Sequence, residues 1–262
     1  MQNFSILFII STLFIVSCKD EEIVFTSECY PEQLRSGVIA SYSFQNGSLE
    51  DGSTNRADID EHISGAPTSD RNGDVNCAYA FNETFGEYLS TSKTSFLNNL
   101  EEFSISLWYQ PSDSTTNGGS HEFLMGRNNS QVQCPDKRGE WSLGLFACRR
   151  AVFSHNNSVE ANLPLSIPPA SCLDNVYHFT GRWQHVVAVY NRGTYKIFHD
   201  GFLQNTSSGL NSCPELHKAE DTGDLFIGRY YTGKIDDILI YNREVTTDEV
   251  TELYNLQPCC SL

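Results

Sequence analysis

The strongest constraint on this chain is a period of two. Residues 38–44, 78–81, 103–109, 122–125 and 140–146 are of alternating or β-rich character, and 185–190, 194–198, 225–227 and 235–241 continue the pattern. Successive side chains of a strand leave opposite faces, so alternation marks strands with one face buried. Gly, Asn, Asp and Pro separate these runs and supply the turns. Many short strands joined in this way predict an all-β sandwich. One stretch departs from the pattern. Thr246-Thr247-Asp248-Glu249 reads as a capping box, and Val250, Leu253 and Tyr254 follow at helical spacing, which predicts one short C-terminal helix.

Residues 1–17 carry no charge and contain an apolar stretch, 6–16, well short of the about 20 residues that span a bilayer. This predicts a signal peptide over 1–17. It ends in Ile15-Val16-Ser17-Cys18, which resembles the bacterial lipobox; that resemblance implies a lipid anchor on Cys18. The Lys19-Asp20-Glu21-Glu22 that follows is similar to a surface-export signal of some Gram-negative lipoproteins. The expectation is an exported outer-membrane or cell-surface lipoprotein, with simple secretion as the alternative. Residues 18–35 read as an acidic tether, 36–257 as one β-sandwich and 258–262 as a C-terminal tail. Residues 156–175, with Pro164, Pro168 and Pro169, are expected to leave the sandwich as a long excursion.

A formal charge of −16 disfavours nucleic acid and unassisted binding to anionic membranes. Of nine cysteines, Cys18 is assigned to lipid, which leaves Cys29, Cys77, Cys134, Cys148, Cys172, Cys213, Cys259 and Cys260. An even number in an exported chain predicts disulfides. The expected pairs are Cys134 with Cys148 across a hairpin, and Cys29 with Cys259 or Cys260 where the sandwich termini meet.

From Ser36 to Gln257 the ordered motifs resemble the laminin-G-like, concanavalin A-like lectin and glucanase jelly-roll family. The first is Ser41-Tyr42-Ser43-Phe44 running into the loop Gln45 to Asn55, followed by Ala78-Tyr79-Ala80-Phe81 with Gly86 and Tyr88. Phe103-Ser104-Ile105-Ser106-Leu107-Trp108, then Trp183-Gln184-His185-Val186 through Asp200-Gly201, carry it onward. Gly233-Lys234-Ile235-Asp236-Asp237-Ile238-Leu239-Ile240-Tyr241 is its most specific piece. The resemblance implies a concanavalin-A-type jelly-roll β-sandwich. Within it Phe44, Phe81, Trp108 and Trp183 are expected in the core, His185 as a structural histidine, and Asp200-Gly201 as a hairpin turn.

The resemblance also implies calcium, held between the first loop and the Asp236-Asp237 strand. Asp51 with Asp236 or Asp237, joined by Asn46 or Asn55, would supply the hard oxygens that Ca²⁺ prefers. Catalysis is not expected. Related glucanases place acids as Glu-x-Asp-x-x-Glu on one strand, and no Glu here is followed two positions later by Asp. No second His follows His121-Glu122 at zincin spacing, and no Gly-x-Ser-x-Gly or phosphate-binding loop occurs. The expected role is a surface binding module. Glycan is the first partner, with Tyr230, Tyr231 and Trp141 as candidate stacking rings. Adhesion to an extracellular protein is the alternative, and a polysaccharide-degrading hydrolase or lyase a further one.

Overall fold

The computed structural model describes residues 30–111, 121–128, 140–146, 149–155, 158–162, 181–208 and 223–259. The signal segment, Cys18, Cys29, Cys134, Cys148, Cys172, Cys213, Cys260 and most of the proline-bearing stretch lie outside the described residues.

In chain order the strands begin with β1 (Val38–Tyr42), β2 (Glu61–Ile63), β3 (Ala66–Thr68), β4 (Ala78–Phe81) and β5 (Tyr88–Thr91). Next come β6 (Glu102–Pro111), β7 (Glu122–Asn128), β8 (Trp141–Phe146), β9 (Arg150–His155) and β10 (Ser158–Asn162). The last are β11 (Gln184–Asn191), β12 (Thr194–His199), β13 (Phe202–Ser208), β14 (Asp224–Ile227) and β15 (Gly233–Tyr241). They form two antiparallel sheets. One runs β13-β12-β11-β6-β15-β4-β3, with β1 pairing on β15; the other runs β10-β9-β8-β7-β14-β5-β2.

The alternation read from the sequence explains the layers. Phe103, Ile105, Leu107 and Tyr109 of β6 point between the sheets and share a core with Leu143, Leu145, Phe153, Leu225 and Ile227 of the opposite sheet. Phe44 and Phe81 join them as expected. A second apolar cluster lies on the outer face of the first sheet, where Val187, Val189, Phe198, Leu239 and Tyr241 meet Val250 and Leu253 of helix α2 (Thr247–Asn255). The capping box is present: Thr246 accepts from the Glu249 N–H, and the Glu249 side chain accepts from the Thr246 N–H.

Three boundaries move. Within 156–175, the stretch expected to leave the sandwich, Ser158–Asn162 instead forms the edge strand β10 paired with β9. Tyr30 and Leu34, inside the stretch expected as a tether, are buried in the outer cluster, and Leu34 sits on a single helical turn over Glu32–Arg35. The Tyr241 hydroxyl donates to the Leu34 carbonyl at 2.9 Å. At the other end Cys259, beyond the expected limit of the sandwich, is buried in the same cluster. The outer face of a sheet rich in Val and Tyr needs a cover, and both chain ends supply it. Cys77 and Cys259 are each disulfide-bonded.

Local backbone devices place the site residues. Asp200 (φ 47°) and Gly201 (φ 83°) make the expected turn between β12 and β13. In β15 the pairing with β6 shifts register between Asp236 and Leu239, and Asp237 takes φ 44°. This β-bulge inserts an extra residue into the strand. Ile235 and Ile238 keep their places in the core on either side of Asp236 and Asp237, so the two consecutive carboxylates both leave by the outer side.

Candidate functional site

Asp51 is fully buried and acts as the organiser of its own loop. Its Oδ1 accepts from the N–H groups of Ser41 at 2.8 Å and Ser53 at 2.9 Å. Oδ2 accepts from Ser53 Oγ at 2.7 Å and from the Ala57 N–H at 3.0 Å. A carboxylate has about four lone-pair sites, and four donors fill them. Asn55 is turned to the same task, with its Nδ2 donating to the Ile39 carbonyl at 2.8 Å. Asn46 is exposed on a turn spanning Gln45–Gly47.

Asp236 and Asp237 belong to a separate network centred on Arg71. The turn between β3 and β4 presents this arginine: Asp70 Oδ1 accepts from the N–H groups of Asn72 and Asp74, which fixes the loop around it. Arg71 Nη1 lies 3.2 Å from Asp236 Oδ2 and 2.7 Å from Asp237 Oδ2, and Nη2 donates to the Leu256 carbonyl at 3.2 Å. The guanidinium carbon stacks 4.4 Å from the centre of the Trp108 ring. Trp108, expected in the core, is therefore on the outer face, stacked on Tyr254 and in tilted contact with His185. Burial holds both carboxyls above the ordinary range, and Arg71 pulls them back down.

These residues do not fit a calcium cage as they stand. Ca²⁺ takes about six to eight oxygens, while Asp51 has none to offer and a guanidinium already bridges Asp236 and Asp237. Among the described residues no group of three or more His, Cys, Asp or Glu is disposed to hold a metal. His185 is a buried strand residue as expected, with Nε2 2.9 Å from Ser106 Oγ.

The three expected stacking rings separate. Trp141 is 5% exposed and packs in the core against Phe103, and Tyr231 is fully buried beneath its own turn. Burial raises the Tyr231 hydroxyl well above its ordinary range. Both are framework residues, which corrects the reading of them as ligand contacts. Tyr230 is 55% exposed. The turn that splits the neighbours is anchored at both ends: Gly228 donates to the Leu124 carbonyl, and the Phe123 N–H donates to the Arg229 carbonyl. Gly228 has φ 78° and a Cβ there would strike the Phe81 ring at 2.3 Å, so only glycine lets the chain pass. Tyr230 itself adopts φ 57°, which turns its ring away from the side Tyr231 fills.

Tyr230 is part of a continuous strip of rings across the second sheet. Its ring centre is 6.2 Å from that of Phe123, which is 5.7 Å from Phe226 in an edge contact and 5.8 Å from His121. His121 continues to Phe146 at 4.4 Å. On the other side the Arg229 guanidinium lies 5.0 Å from Phe226 and 5.1 Å from Tyr88. The strip thus crosses β5, β14, β7 and β8. Beneath it Glu122 is paired with Arg149 at 3.3 Å, and burial with the like charge of Glu83 pushes the Glu122 carboxyl up to about 8. The turn Glu83–Phe85, tied to Thr232 through the Glu83 N–H, carries a further exposed ring, Phe85. Only Tyr230 among these was expected from the sequence to touch a ligand. The outward phase of Phe123 and Phe226, each flanked by core-facing residues, is the signal that would have found two more.

Comparison with known proteins bears on the fold. The chain aligns with the receptor-binding domain of botulinum neurotoxin type G at 19% identity and a TM-score of 0.61, covering 84% of this chain and 51% of that one. A botulinum neurotoxin type C structure, described by the dependence of cell entry on two ganglioside molecules, aligns at 16% identity and 0.61 over 85% and 52%. The botulinum neurotoxin DC binding domain in complex with rat synaptotagmin II aligns at 15% identity and 0.61, again over 85% and 52%. The chain spans about half the length of these structures. No curated protein sequence matches it. The profile of Laminin_G_3, described as the concanavalin A-like lectin/glucanases superfamily, matches residues 82–251, and with two antiparallel sheets and the capped helix in place the chain belongs to that family.

Proposed function

We propose that this domain is a cell-surface binding module for glycan, with the aromatic strip around Tyr230 as its binding face. The strip carries the reading: Tyr230, Phe123 and His121 line up on one side of a sheet whose core-facing residues are already packed. Ring faces receive the C–H surface of a pyranose, and Arg229, held between Phe226 and Tyr88, offers donors to hydroxyl or carboxylate oxygens. No acid pair for glycosidic cleavage enters this role, so the proposal is binding without turnover. The fold shared with the neurotoxin binding domains is compatible with a glycan or a protein partner; the ring strip favours glycan. Export and lipid attachment at Cys18 would display the module at the cell surface, and disulfides among the remaining cysteines would brace it there.

A glycan array probed with the purified full chain tests the proposal. Binding is expected, and Tyr230→Ala should weaken it about tenfold, the equivalent of roughly 1.4 kcal/mol, in keeping with one aromatic contact. Silence across the array, or binding unchanged in both Tyr230→Ala and Phe123→Ala, would remove the strip as the site.

A further inference from the structure

The bulge in β15 has an unusual product: two adjacent carboxylates on one face of a strand, both nearly out of solvent. Asp236 is 1% and Asp237 6% exposed. Ordinary alternation would have sent one of them into the core. Asp237 holds a left-handed backbone to achieve this, a conformation that persists only when its surroundings enforce it. Two buried neighbouring carboxylates need either a shared proton or a cation, and the fold supplies a cation from a hairpin 165 residues away in sequence.

Arg71 is held for that position from every side. Its guanidinium bridges both carboxylates, donates to the Leu256 carbonyl just past helix α2, and lies on the Trp108 face. Asp237 Oδ2 also accepts from the Cys259 N–H at 3.3 Å, so the same cluster fastens the C-terminal segment. Asp237 Oδ1 and the nearby Asp70 Oδ2 are buried without a hydrogen-bond partner. Acceptor capacity therefore exceeds what one guanidinium uses, which is what a place suited to a doubly charged ion would show.

We propose that Arg71 is the resident cation of this module, standing between Asp236 and Asp237 where a divalent metal would otherwise be needed, so that the sandwich holds its C-terminal segment without calcium. The reading is independent of the glycan site, because neither Arg71 nor its partners belong to the ring strip. It turns two of the expected calcium ligands, Asp236 and Asp237, into an internal ion-pair cluster. It also makes the calcium response a property that one substitution can switch on.

The test compares the melting temperature of the full chain with that of Arg71→Ala, each in chelator and in millimolar Ca²⁺. The unaltered protein is expected to melt at the same temperature in both. Arg71→Ala is expected to melt roughly 10 °C lower in chelator, since it strands two buried carboxylates, and to recover part of that loss with Ca²⁺. Tb³⁺ gives a second readout: emission sensitised by Trp108 should appear in Arg71→Ala and disappear when Asp237→Asn is added. Arg71→Lys keeps a positive charge and should remain indifferent to Ca²⁺. An equal Ca²⁺ response in the unaltered chain and Arg71→Ala, whether both shift or neither does, overturns the proposal. So does an Arg71→Ala chain that fails to fold and that Ca²⁺ does not restore.

Discussion

Asp51 and the Tyr230-Tyr231 pair show how one side chain's surroundings decide its work. Asp51 gathers the Ser41, Ser53 and Ala57 N–H groups and the Ser53 hydroxyl around one buried carboxylate. Removing it in Asp51→Ala leaves those donors buried and unsatisfied, and should cost at least about 3 kcal/mol of unfolding free energy, read as a lower urea midpoint. The same substitution should leave glycan affinity unaltered while the protein stays folded. Tyr231→Ala should behave alike, because it empties a fully buried ring position and costs about 3–5 kcal/mol. Tyr230→Ala should do the reverse, with a midpoint close to that of the unaltered chain and weakened binding. A loss of stability in Tyr230→Ala comparable to that of Tyr231→Ala would contradict the assignment of their faces.

The central strands of the first sheet were legible because they are buried, but burial alone was not enough: β9, with Ala151, Val152 and Phe153 buried in succession, does not alternate and was missed. β6, β11 and β15 sit in the middle of the first sheet and show the alternation or apolar runs read from residues 103–109, 185–190 and 235–241. β13 was not recognised, because Phe202 to Ser208 is an edge strand whose residues are largely exposed and polar. Exposure removes the selection for alternation that makes a strand readable. Helix α2 was recognised because its capping box is written in four consecutive residues. Thr246→Ala should cost about 1 kcal/mol through loss of the bond to the Glu249 N–H, measurable as a small drop in urea midpoint. Arg243, bound to the Glu249 carboxylate at 2.7 Å and 2.9 Å, ties this cap to the end of β15. The bulge at Asp237 had no sequence signature, since an extra residue is defined only against the partner strand β6.

Across the whole molecule, buried histidines couple stability to acid. Burial lowers His155 to about 4 and His185 to about 3, with the charge of Arg71 and then His199 adding to the effect at His185. Both folded values lie below the roughly 6.5 of an unfolded histidine. Their contribution is therefore complete above about pH 6.5 and is lost as pH falls from there toward 4 and 3, because the unfolded chain takes up protons that the folded one refuses. His155→Gln should make the fall in urea midpoint between pH 6.5 and 4 shallower, and an unchanged slope would show that His155 does not carry it. The sandwich itself, its family and its terminal helix were legible from residues close together in sequence, because alternation, turns and caps are local consequences of backbone geometry. The covering of the outer face by Tyr30, Leu34 and Cys259, the alignment of Phe123, Phe226, Arg229 and Tyr230, and the capture of Asp236 and Asp237 by Arg71 arise between distant segments. They required the three-dimensional packing, since which carboxylate meets a guanidinium and which ring meets solvent are settled by the strands and turns that fold between them.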